Sequence, residues 1–167
     1  MKQVKLTNRL RVLADLIDEF ASVADIGTDH GYLPVYLAQN SKAKRIVASD
    51  ISPASLKTAY RSAYEYDVTD LIEFTVTPGL AHLTPEDVDT IIIAGMGGET
   101  ILSILKDAPW TKSSSITMIL QPQSKIGLLC RFLYDSGYNI KKTGTTVDKG
   151  KKYTIILTAG NIEEDNT

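Results

Sequence analysis

Five short apolar runs recur along the chain, and four of them are followed by a stretch with helical spacing. They are SVADI (22–26), RIVASDI (45–51), IEFTVT (72–77), DTIIIAG (89–95) and ITMILQP (116–122). Such runs, rich in β-branched residues, read as strands. Strands that alternate with helices require crossovers of one hand and produce a parallel sheet covered on both faces. The uninterrupted Ile91–Ile93 run suits a strand buried on both sides.

The helical segments carry their own signals. Leu6, Leu10, Leu13, Ile17 and Phe20 follow at steps of four, three, four and three, which predicts an opening helix reaching Phe20. A second helix is expected over 32–40. Ser52 is placed to cap a third, with Pro53 in its first turn, running to Tyr66. Gly97-Gly98 precedes a fourth through Leu105, and Ile126, Leu129, Phe132 and Leu133 mark a fifth. The end differs: 138–147 and 153–159 are β-rich and joined by DKGKK, which predicts an antiparallel hairpin.

Composition narrows the function classes. The length of 167 residues fits one domain, and 43% apolar against 23% charged residues permits a buried core. Eighteen Lys plus Arg against 20 Asp plus Glu give a net charge of −2, which excludes binding to nucleic acid by bulk positive charge. Cys130 is the single cysteine and is expected to be a buried, inert thiol. With it and two histidines, His30 and His82, no Cys or His metal centre is expected. No apolar run is long enough to span a membrane, and the first residues lack a signal-peptide core, so the expected location is the cytoplasm. A monomer is expected.

Parallel sheets of this type bind ligands at the carboxyl ends of their strands, where strand order reverses. Three features fall there. DIGTDHG (25–31) follows the first strand; Gly27 and Gly31 permit a tight turn and close approach of a ligand. The dinucleotide and P-loop glycine patterns are absent, so the loop is not built for pyrophosphate. Asp25, just before the glycine, suits a cationic group, although a D-x-G sequence also serves as a plain strand-to-helix turn. Asp50 ends the second strand, where an acid accepts ribose hydroxyls. IIIAGMGG (91–98) places three glycines in four residues after a buried strand. Two acids and a glycine shelf around one crevice favour an adenosine-containing cofactor, and S-adenosylmethionine fits better than a dinucleotide.

LTNRLRVLA, VADIGTDHGYLPVYLA, ASDISP, PGL at 78–80, IIIAGMGGETI, LQPQ at 120–123 and DKGKKYTIIL run in order through nearly the whole chain. In these segments it resembles the bacterial tRNA (adenine-22-N1)-methyltransferase family (TrmK). The resemblance implies a Rossmann-like class I methyltransferase fold, α/β, with a mostly parallel sheet, helices on both faces and a C-terminal antiparallel hairpin. It implies S-adenosylmethionine as cofactor and tRNA as partner. Asp25, Gly27, Thr28, His30, Gly31, Asp50 and Ile51 take the cofactor-binding positions; Gly79 and Leu80 border the adenine. Gly95 and Met96 line a shared crevice, and Arg9 reaches toward the methionine carboxylate.

Asp29 takes the position of the family's second aspartate, beside the sulfonium, and is the expected catalytic residue. A carboxylate there can accept the exocyclic N6 proton of adenine or stabilise charge developing on the base. Gln121, Pro122 and Gln123 are expected at the target base, which must be extruded from folded RNA, with Lys152 and Tyr153 on the substrate side. Lys141, Lys142, Lys149, Lys151 and Lys152 cluster on the hairpin, where phosphate contact and a solvated edge are both open readings. The chain departs from the family at Pro78, where relatives often carry Asp or Asn, and at Thr154, where an acid is common. Relatives also continue into a helical extension. The expected layout here is a methyltransferase domain over 1–160 and an acidic tail over 161–167, without that extension. A non-catalytic cofactor- or RNA-binding module, and a methyltransferase of another RNA or small molecule, are the alternatives.

Overall fold

The apolar runs form one seven-stranded sheet in the computed structural model, which describes residues 2–159. The elements are α1 (Asn8–Asp15), β1 (Ala21–Ile26), α2 (Tyr32–Gln39), β2 (Ala43–Asp50), α3 (Pro53–Glu65), β3 (Glu73–Val76), β4 (Thr90–Met96), α4 (Gly98–Lys106), β5 (Thr117–Pro122), α5 (Ile126–Asp135), β6 (Asn139–Asp148) and β7 (Lys151–Ala159). Strand order is β3-β2-β1-β4-β5-β7-β6. The pairs among β1 to β5 are parallel; β7 lies antiparallel to β5, and β6 antiparallel to β7. The direction of winding reverses between β1 and β4, so a crevice opens at their carboxyl ends.

Side chains alternate across the sheet and build two apolar layers. Val23, Ile46, Ile92 and Ile119 face one layer with α1 and α2; Ala24, Val47, Ile91, Ile93 and Leu120 face the other, with α4 and α5. Both faces of β4 are therefore covered, as its unbroken apolar run requires. Ser52 caps α3 by accepting from the Ser55 backbone N–H at 3.2 Å, and Pro53 occupies the first turn.

Three local expectations are corrected. The opening helix stops at Asp15. Ile17 is buried beyond it, but Phe20 is 74% exposed with a left-handed φ of 63°, so the apolar stripe outlasts the helix. The hairpin strands run further than expected and meet at Lys149-Gly150, whose φ values of 50° and 76° suit the mirror-image turn that matches strand twist. Cys130 is partly exposed rather than buried, though it packs against the α4/α5 layer. Among the described residues, no helix is long and apolar enough to cross a membrane, and no group of three or more His, Cys, Asp or Glu is placed to hold a metal. The acidic tail expected over 161–167 lies outside the described residues.

Candidate active site

The loop after β1 is shaped by its backbone. Gly27, Asp29 and Gly31 all adopt left-handed φ values, of 72°, 55° and 71°. Gly31 has no room for a side chain: a Cβ would lie 2.8 Å from Ala59 Cβ and 3.0 Å from Ala59 Cα on α3. A Cβ on Gly27 would collide with the Met96 methyl group. Asp29 is the non-glycine exception, and Asp tolerates this conformation better than most residues. Its backbone N–H donates to Asp50 Oδ2 at 3.2 Å, while Asp50 Oδ1 accepts from Ser52 N–H at 3.0 Å. Asp50 thus ties the first loop to the start of α3.

Asp25 is 5% exposed, and the Thr28 hydroxyl donates to its Oδ2 at 2.8 Å. Burial pushes its carboxyl up to about 6, helped by the nearby charge of Asp50; the Thr28 hydrogen bond and the Arg9 charge act the other way. A buried carboxylate with so little compensation is primed to accept a cationic ligand.

The crevice has two chambers. One, of about 290 Å³, is walled by Arg9, Asp25, Thr28, Asp29, His30 and Gly95, with Gln123 at its edge. The other, of about 350 Å³, is bordered by Ile51, Gly79 and Leu80 and by one face of α4. Gly27, Asp50 and Met96 border both. Gly95, with φ of 77°, interrupts the register between β4 and β5 and sets Met96 between the chambers. The Gln123 N–H donates to the Met96 carbonyl at 2.8 Å, joining the loops after β4 and β5.

The tertiary structure therefore gathers most of the expected residues at one rim. Gly31 lies beneath it as the N-cap of α2. Gln121 and Pro122 are buried and form no part of the walls; Gln121, 1% exposed, donates through Nε2 to the Arg9 carbonyl at 3.1 Å and so fastens α1 to β5. Lys152 is exposed and Tyr153 half-buried on β7, outside the walls, although the Tyr153 ring centroid is 5.7 Å from the Arg9 guanidinium. Sequence reasoning missed Tyr32 on the polar side and Thr100, Ser103, Ile104 and Asp107 on the apolar side. Thr100, Ser103 and Ile104 share one face of α4 at three- and four-residue spacings, with Asp107 following as its C-cap, so this face was available from spacing.

The fold agrees with known proteins. Residues 6–156 match the model of a family described as a methyltransferase domain. The tRNA (adenine(22)-N(1))-methyltransferase of Bacillus subtilis is 31% identical over 157 residues, covering 94% of this chain and 66% of the relative. The crystal structure of the B. subtilis M1A22 tRNA methyltransferase TrmK superposes with a TM-score of 0.88 at 30% identity, over 95% of this chain and 68% of that one. The structure of M. capricolum TrmK in complex with S-adenosyl-homocysteine gives a TM-score of 0.81 at 31% identity, over 93% and 69%. The chain spans about two thirds of the length of the curated relatives it matches across nearly its whole extent. On the residues matched and on the Rossmann-like sheet that carries them, this chain belongs to the methyltransferase-domain family that includes TrmK.

Proposed function

We propose that this chain transfers a methyl group from S-adenosylmethionine to N1 of adenine 22 in tRNA. The observation that carries the reading is the convergence of Asp25, Asp50 and Asp29 on one crevice at the switch in strand order. The kinship with relatives named for this tRNA reaction, and with one solved with the cofactor product, supports it.

The crevice fits the cofactor by its chemistry. A buried Asp25 suits an ammonium, Arg9 suits a carboxylate, Asp50 suits ribose hydroxyls, and the apolar chamber at Ile51, Gly79 and Leu80 suits a nucleobase. Gly27 borders both chambers, so the loop presents bare backbone to a ligand there. Bound there, S-adenosylmethionine would supply an electrophilic methyl group, its methyl–sulfur bond breaking to leave a neutral thioether.

The protein's contribution is positioning and charge. Adenine N1 attacks with its neutral lone pair, and the base gains positive charge. Asp29 is held at the rim by its own backbone hydrogen bond to Asp50, with its side chain 67% exposed. There it accepts the N6 proton or stabilises the charge on the base, an effect worth about 10²- to 10⁴-fold in rate. The relatives' names support tRNA as partner; a cytoplasmic location and a monomeric state complete the proposal.

The test is mass spectrometry of tRNA nucleosides after incubation of unmodified tRNA with protein and cofactor. N1-methyladenosine mapping to position 22 is the expected product. Cofactor binding by calorimetry with no methyl transfer to any tRNA would instead support a non-catalytic module, and methylation elsewhere a different RNA substrate.

A further inference from the structure

The polar chamber carries an aromatic pair, and one of its members, Tyr32, has no part in holding the cofactor in the assignment above. His30 and Tyr32 stack with ring centroids 5.5 Å apart and planes inclined by 15°. Both border the chamber that holds Asp29. Tyr32 is 40% exposed, and the His30 side chain is 57% exposed, so the pair adds little to the core. His30 Nε2 lies 3.9 Å from Asp29 Oδ2, which puts the acid at the edge of the stack. Gly31 separates the two residues, and its left-handed backbone, pressed against Ala59, sets the directions of both rings.

We propose that the His30–Tyr32 pair is the platform that receives the extruded adenine and presents it to Asp29. This rests on the tRNA reading above. Every nucleobase has a π face, and base–aromatic stacking is a favourable contact that survives in water. Methylation at N1 makes the base a cation, and an electron-rich ring beneath it then gains a cation–π contribution. The platform therefore binds the product-like transition state more strongly than the neutral base, which places part of its effect on kcat as well as on KM.

The experiment compares wild type, Tyr32→Phe, Tyr32→Leu and His30→Ala in methylation of unmodified tRNA, with cofactor affinity measured by calorimetry on each. Tyr32→Leu is expected to lower kcat/KM for tRNA roughly 5- to 150-fold, the range of one lost base–aromatic stack, and Tyr32→Phe to retain activity within about threefold. His30→Ala is expected to lower kcat/KM in the same direction. Both Tyr32 variants are expected to keep cofactor affinity. A tRNA carrying 2-aminopurine at the target position supplies the second readout: fluorescence quenched by wild type and by Tyr32→Phe, and unquenched by Tyr32→Leu. If the wild-type protein methylates tRNA and Tyr32→Leu does so with unchanged kcat and KM, or loses cofactor binding in equal proportion, the platform is refuted while the enzyme reading stands. If wild type transfers no methyl group to tRNA adenine, both fall together.

Discussion

The buried carboxyl of Asp25 should write itself into the pH dependence of folding. Its folded-state pKa is raised from 3.8 to about 6, chiefly by burial. The native protein therefore holds this proton to higher pH than the unfolded chain does. Stability from this group is present at low pH, falls as pH rises from about 4 through about 6, and is lost above that. At pH 8 the ionised side chain costs about 3 kcal/mol of folding free energy, a large share of the ~5–15 kcal/mol a domain possesses. Asp25→Asn removes the titration. The amide adds a constant of its own, but that constant cancels when the variant is compared with wild type at two pH values. Urea unfolding followed by circular dichroism should show the Asp25→Asn variant gaining on wild type by about 2 kcal/mol between about pH 4.5 and pH 8. The same substitution should weaken the cofactor, because the carboxylate is what meets its cationic group. A difference in stability that stays flat across this pH range would refute the reasoning, since it would mean that the carboxyl is well solvated in the native protein.

In wild type, cofactor affinity measured by calorimetry should decline below about pH 6, by at most about tenfold per pH unit, as Asp25 takes up its proton; the decline should vanish in Asp25→Asn. Asp29→Asn keeps a residue tolerant of the left-handed backbone, so cofactor affinity should hold while kcat for tRNA methylation drops by about 10²- to 10⁴-fold; a drop under about threefold would remove Asp29 from the chemistry. Gly31→Ala must place a Cβ at φ of 71° against the backbone of Ala59, and should lose about 2–5 kcal/mol in urea unfolding. Gly144→Ala, where nothing lies within 4 Å of the new Cβ, should change stability by less than about 1 kcal/mol and serves as the control.

Periodicity reports which face of a segment is apolar, and that was enough to lay out the order of strands and helices here. It placed Asp25, Asp50 and the 95–98 glycines at strand ends, because strand ends are where apolar runs stop. Periodicity does not report partners. The insertion of β7 between β5 and β6, the burial of Gln121 against the Arg9 carbonyl, and the exposure of Phe20 all depend on contacts between residues far apart in the chain. Spacing alone carried Phe20 into a helix, whereas the chain turns at Asp15 to reach β1. Tyr32 shows the same division within the site. Its identity placed it at the start of α2, but only the left-handed turn at Gly31 brought its ring onto that of His30 at the mouth of the crevice. Burial of Asp25, and with it the raised pKa, likewise arises from the packing of β1 between β2 and β4, because desolvation depends on the whole environment of a group and not on its neighbours in sequence.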